Sequence, residues 1–342
     1  MTRPTIRDLA EAAHVSVSTV NRVLGGAGNV RQGTMQRIQD TAESIGFYGL
    51  GSIRGHIAAK RTKHRFGFLL HQPTRAWYRN LAGALEGAAS RVRDREIHIR
   101  MEFAQDLSPQ YIAAKLRELG SECEAVGVVA AVHPLVNEAV EDLRQRGVPV
   151  FALVSQLSAT GNVHYVGLDN WKVGRMSAWA IANICKAPGK LGILVGNHRY
   201  RCQEMNESGF RSYFREFAPE FTLLEPLSTY ETSAVAQEMT EKLLREHPDL
   251  AGLYVAGGGI TGTVEALRAS GRASKIVTVG YELMDVTRAG LLDGTLTLVI
   301  SHPLPLLADA AIAGMIRASA PSPDAGNQTT ILPFEIFTRE NI

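Results

Sequence analysis

The chain has 342 residues, more than one hydrophobic core ordinarily organises, so more than one domain is expected. Hydrophobic residues make up 45% and charged residues 20%, the balance of a soluble globular protein, and no apolar run approaches the roughly 20 residues that cross a bilayer. Three scattered cysteines, Cys123, Cys185 and Cys202, argue against a disulfide framework and a cysteine metal site, and the charged start MTRPTIRDLAEAAH lacks a secretory apolar core. A cytoplasmic protein, neither exported nor membrane-embedded, is expected.

The net charge of +2 conceals an asymmetry. Residues 1–65 carry ten Lys and Arg against four acids, a balance of +6 that leaves −4 for the remainder. A small basic unit joined to a mildly acidic large one points to a polyanion partner for the first alone.

The first elements fit that partner. In TIRDLAEAAHVSVSTVNRVL, Thr5 and Asp8 form a capping-box-like start, and Ile6, Leu9, Ala10 and Ala13 make one apolar stripe, predicting a helix over 6–13. Ser16 is a good N-cap for a second helix with apolar positions Val17, Val20, Val23 and Leu24. Two short amphipathic helices about a three-residue turn predict a helix-turn-helix, able to set its second helix in a DNA major groove. A third helix is predicted from about Gln32 to Ser44.

These residues carry a resemblance. T-I-R-D-L-A-E-A-A, V-S-V-S-T-V-N-R-V-L, Val30, Thr34 and the I-G-F at 45–47 resemble the DNA-binding head of the lactose-repressor (LacI/GalR) family of bacterial transcription regulators. The resemblance implies that Val17, Ser18 and Arg22 face base edges, roles their chemistry suits: Arg for a guanine edge, Ser for either partner, Val for a thymine methyl. Ser16, Thr19, Asn21 and Asn29 are then phosphate contacts that fix register. His14 stands where the family has a turn glycine, and positive φ is expected there. Residues 48–64 form the linker that becomes a hinge helix on DNA in the family, with Ile57 the candidate minor-groove wedge. Glycines at 49, 51 and 55 weaken any free helix in it.

From residue 65 short apolar runs alternate with helical segments: 66–70, 97–103, 125–132, 148–154, 164–169, 190–196, 221–227, 251–256, 275–282, 295–300 and 331–337. Such alternation predicts parallel sheets with right-handed crossovers, and so many strands suit two sheets. The fold class is thus an all-α helix-turn-helix head (1–47), a linker (48–64) and an α/β body (65–342). The resemblance implies a periplasmic-binding-protein-like body of two parallel-sheet subdomains, with expected boundaries at 65–162 plus 296–324 and 163–295 plus 325–342. PSPDAGNQ (321–328) reads as a crossing loop.

Ligands of such sheets bind beyond the carboxyl ends of the strands. The residues there are His71, Gln72, Trp77, Tyr78, Asn80, His133, Gln156, Asp169, the loop 197–210 with Arg201, Glu204 and Asn206, then Gly257, Glu282 and His302. Aromatic faces with a few convergent polar groups describe a polyol pocket. For single members, helix capping, crossing-loop and core roles compete with ligand contact.

One motif points elsewhere. Gly257, Gly259 and Gly262 fit the dinucleotide-binding spacing G-x-G-x-x-G, and Glu282 lies 25 residues past the first. They fall in the middle of the second subdomain, not at a first βα turn, and are read as a tight loop lining the cleft. The expectation is a homodimeric regulator, not an enzyme, with no catalytic residues, metal or cofactor. Its partners are near-palindromic operator DNA and a small effector, a sugar, sugar acid or polyol. The rivals are a transport-type sugar-binding protein, which has no use for the head, and an NAD-dependent oxidoreductase, for which no acid/base pair is in view.

Overall fold

The computed structural model describes residues 3–26, 30–59, 61–158, 163–320 and 326–342. The chain divides into two compact units, residues 1–64 with 89–98, and residues 65–88 with 99–342.

The head opens with α1 (Ile6–Ala12), and its capping box is formed: the Thr5 amide donates to Asp8 Oδ2 at 2.7 Å and the Asp8 amide donates to Thr5 Oγ1 at 3.3 Å. His14 turns the chain with φ +52°, the left-handed geometry expected there. Ser16 caps α2 (Val17–Leu24), accepting from the Thr19 amide at 3.2 Å. Then come α3 (Gln32–Ser44) and α4 (Leu50–Ala59). Leu9, Ala13, Val20, Val23, Ile38, Ala42 and Phe47 are buried together, and Ile53 and Ile57 join them.

Ten residues of the linker are helical, although its glycines weaken a free helix. Burying Ile53 and Ile57 on the head supplies roughly 1.5–3 kcal/mol per side chain, more than the propensity deficit. Ile57, the candidate minor-groove wedge, is 6% exposed and packs in the head core.

The body holds two sheets. In the first, the order is β12 (Thr329–Leu332), β5 (His164–Leu168), β4 (Val150–Leu153), β3 (Ala125–Val128), β1 (Thr62–Leu70), β2 (Arg95–Phe103). In the second it is β13 (Glu335–Phe337), β11 (Leu298–Ser301), β10 (Val277–Tyr281), β9 (Leu250–Val255), β6 (Lys190–Val195), β7 (Thr222–Leu223), with β8 (Leu227–Ser228) also on β6. Strands β3, β4, β5 and β12 run parallel, as do β6, β9, β10 and β11, and β13 is antiparallel on its edge. The buried strands read as apolar runs because helices cover them. Helices α5 (Ala76–Arg91), α6 (Pro109–Glu122), α7 (Pro134–Gln145) and α13 (Leu304–Ala318) serve the first sheet; α8 (Asn170–Ile184), α9 (Arg201–Phe217), α10 (Ser233–Glu246), α11 (Ile260–Ser270) and α12 (Asp285–Leu292) serve the second.

All three expected subdomain boundaries are corrected by sheet membership. The strand at 164–168 pairs with β4, so the first crossing follows Leu168; the strand at 298–301 pairs with β10, so the second follows it. Run 331–337 splits between the sheets, which puts the third crossing between β12 and β13. Helix α13 packs on β3, β4, β5 and β12, so the segment around 321–328 joins elements of one subdomain and is not a crossing. Residues 321–325 of it lie outside the described residues. Periodicity identifies a strand, but its sheet is decided by tertiary pairing, which alternation does not encode.

Candidate functional site

Two surfaces stand out, one in each unit. On α2 the burial of Val20 and Val23 turns Val17, Ser18, Asn21 and Arg22 outward. Val17, an apolar residue on a short polar helix, is 43% exposed. The Ser16 hydroxyl lies 2.8 Å from those of Ser18 and Thr19, so the helix start is a knot of hydroxyls. Arg22 has no ion pair among the described residues. A shallow hollow lined by Arg3, Arg7, Val17, Asn21 and Tyr48 flanks this face. Arg3, Arg7 and Tyr48 were not singled out in the sequence as site residues, although the two arginines belong to the basic excess of the first 65. Asn29, an expected phosphate contact, lies outside the described residues.

In the body, a cleft of about 660 Å³ opens at the carboxyl ends of both sheets. Six expected residues line it: His71, Gln72, Trp77, Tyr78, Gly257 and Glu282. His71 and Tyr78 rings lie 4.7 Å apart, Trp77 and Tyr78 meet edge-on at 5.0 Å, and Tyr200 meets His71 at 5.2 Å. This aromatic wall offers flat apolar faces. Burial depresses the His71 pKa to about 4 against the raising effect of Glu231, so the imidazole is neutral at pH 7. Burial likewise pushes the Cys202 thiol up to about 12, which leaves it protonated and inert.

The polar centre of the cleft is an ion pair. Arg75, in the turn before α5, donates through Nη1 to Glu231 Oε2 at 2.6 Å and through Nη2 to the Glu231 carbonyl. Gln203 donates to Glu231 Oε1 at 2.5 Å. Burial alone raises the Glu231 carboxyl, but the Arg75 charge, hydrogen bonds from Arg75 and Gln203, and His71 outweigh it and hold it below the usual carboxylate range. At the other side, Glu282 Oε2 accepts from Ser301 Oγ at 3.0 Å and the His302 amide at 3.1 Å, and Oε1 lies 2.6 Å from His302 Nδ1.

The remaining expected contacts do not line the cleft. Asp169 caps α8, accepting from the Lys172 amide at 3.2 Å, and His133 caps α7, accepting from Leu135 at 3.2 Å. Asn80 is exposed on α5, and Arg201 pairs with Glu204 at 3.5 Å. Asn206 is fully buried, its side-chain amide nitrogen donating to the Asn170 carbonyl at 3.0 Å and the Cys202 carbonyl at 3.3 Å. His302 is buried behind the wall, 5.7 Å from the Trp77 ring, and acts on the cleft through Glu282. Strand ends supply both helix caps and cleft-lining residues, and spacing does not separate the two.

Residues 5–49 match the model of "Bacterial regulatory proteins, lacI family", and residues 66–320 match that of the "Periplasmic binding protein domain". The chain belongs, over its body, to the periplasmic binding protein domain family and carries a lacI-family head.

The chain is 28% identical to the catabolite control protein A of Priestia megaterium over 48% of its own length, and it spans about half of that relative, 47%. It is 24% identical to the ribose operon repressor of Bacillus subtilis over 84% of this chain and 83% of that one. A solute-binding protein of an ABC transporter from Burkholderia graminis, solved with D-arabinose, matches with a TM-score of 0.75 at 15% identity, covering 82% of this chain and 98% of that one. The last likeness concerns the fold.

Within this body, Arg75, Glu231 and Tyr281 line the cleft and were not singled out in the sequence, while Tyr200 and Gln203 come from the expected loop 197–210 without having been named. Arg75 follows β1 by five residues and Glu231 follows β8 by three, so the strand-end rule reaches both. Glu231 was obscured because 221–227 reads as one strand and folds as two. A further signal is conformational: Val154, Glu231 and Glu282 line the cleft with φ of +66°, +61° and +69°. Left-handed backbone in non-glycine residues costs about 1–3 kcal/mol each and gathers at functional sites.

The glycine fingerprint is accounted for by packing. A Cβ on Gly257 would overlap the Gln203 carboxamide, one on Gly258 the Glu231 carboxylate, and one on Gly262 the Ser233 carbonyl where α10 meets α11. Gly259 stands at φ +102°. These glycines admit protein groups to the loop.

Proposed function

We propose that the chain is a ligand-responsive DNA-binding repressor of carbohydrate or polyol utilisation genes, its operator affinity switched by a small sugar-like effector in the cleft. The observation that carries this reading is the pairing, in one chain, of a head with an outward base-reading face and a body with an aromatic-walled polar cleft. Val17, Ser18 and Arg22 read base edges; Ser16, Thr19 and Asn21, with Arg3 and Arg7, hold phosphates. The repressor names of the relatives and the sugars bound by the fold's neighbours support it.

Two heads, one from each subunit of a homodimer, would engage a near-palindromic site, as a two-fold axis requires. The effector acts only through unequal affinity for the DNA-competent and DNA-incompetent states. No helix among the described residues is long and apolar enough to cross a membrane, which is compatible with a cytoplasmic regulator. The test is anisotropy titration of the full chain against duplexes from its genomic neighbourhood and random duplex, at several salt concentrations. A salt-dependent preference for one duplex, altered by a sugar, supports the reading; equal affinity for all duplexes contradicts it.

A further inference from the structure

The cleft specifies the charge of its ligand, an inference that rests on reading the cleft as the effector site. In an α/β lobe, a carboxylate or phosphate is held by bare backbone at a helix N-terminus with a cation beside it. Here that position is the loop 257–259 before α11, and the cation is Arg75. Glu231 already fills it. Its carboxylate lies 2.6 Å from Arg75 Nη1 and 2.5 Å from Gln203 Nε2, and the bare backbones of Gly196 and Gly258 press on it so closely that a Cβ at either would overlap it.

The second guanidinium nitrogen is taken by the Glu231 carbonyl, so both Nη groups of Arg75 are occupied by one residue. The Glu231 side chain is 7% exposed, and its backbone is held in a left-handed conformation that glutamate does not favour. Arg75 is the one Lys or Arg among the described residues that line the cleft, and Glu282 and Asp285 add further acids. His71 is neutral and does not offset them.

We propose that Glu231 is a built-in counter-ion that fills the anion-binding position of the cleft, so that the effector is an uncharged polyol and sugar acids and sugar phosphates are excluded. An anionic ligand would have to enter the cleft beside carboxylates, with its one Arg already paired, which is costly. Neutral hydroxyls can donate to the Glu231 carboxylate and to the glycine-loop carbonyls, while the ring lies on Trp77 and Tyr78.

The test compares the full-length chain with E231Q, which keeps the shape and removes the charge, and with the double variant R75Q/E231Q. The probes are D-glucose, D-ribose and ribitol, against D-gluconate, D-ribonate, ribose 5-phosphate and inorganic phosphate, read by thermal shift and calorimetry. The expected result is that no anion stabilises the wild type, while E231Q binds gluconate or phosphate about tenfold or more tighter than the wild type does. The double variant should lose that gain.

A wild type that binds an aldonate or phosphate in preference to its neutral counterpart overturns the inference, as does folded E231Q that stays silent to every anion. If E231Q does not fold, the wild-type comparison of neutral and anionic partners decides alone. Should E231Q gain the anions while the neutral probes bind neither protein, the counter-ion role stands and the sugar reading of the cleft fails.

Discussion

The Tyr200 hydroxyl, from the turn before α9, lies 3.0 Å from His71 Nε2, at the end of β1, and both groups are buried. This contact joins the two halves of the body, and it uses a neutral imidazole. The unfolded chain takes up a proton on His71 near pH 6.5, whereas the folded chain refuses it until about pH 4. Stability should therefore fall as pH drops from 6.5 towards 4, by up to on the order of 3 kcal/mol. Glu231 adds in the same direction, because its lowered pKa contributes stability that is lost as pH falls through the folded value. Urea midpoints at pH 7 and pH 5 measure the slope, and His71→Gln should flatten it; equal slopes in both proteins contradict the assignment.

Arg75 and Glu231 stabilise the body only as a pair. Arg75→Gln should cost about 3 kcal/mol by leaving a buried carboxylate unmatched, and R75Q/E231Q should recover part of that loss. Chemical denaturation of the three proteins checks the order. A double variant no more stable than the worse single one would show that the two charges act independently.

Arg22→Ala should lower the ratio of operator to random-duplex affinity by about 1–3 kcal/mol while leaving effector affinity unchanged. Competition binding at fixed salt reads both. A collapse of effector binding in the same variant would show that the head and the cleft are not separate sites.

Asp169→Ala should cost about 1 kcal/mol of stability, the loss of a helix cap, without changing ligand affinity. Calorimetry on the folded variant decides, since a weakened ligand would return Asp169 to the site.

The head was legible in the sequence because its signals are local. Thr5 with Asp8 and Ser16 act within four residues and their geometry follows from residue type, while the left-handed His14 was expected from the resemblance. Ile57 was not legible: its burial depends on where α4 lands, which no residue in the linker announces. In the body, His71, Trp77, Tyr78, Gly257 and Glu282 could be found because strand ends face the cleft. Arg75 and Glu231 meet across 156 positions of sequence, and only the approach of two sheets makes them neighbours. Asp169 and His133 satisfy the same strand-end rule and are caps, because a carboxylate or imidazole after a strand serves a helix start as readily as a ligand.

The most direct measurement is an anisotropy titration of the full-length chain on a near-palindromic duplex from beside its own gene, with and without the neutral sugar that stabilises it. The account predicts binding at least about 10³-fold tighter than to random duplex, and a shift in that affinity when the sugar is added. Indistinguishable affinity for the two duplexes, unmoved by any sugar, would contradict it.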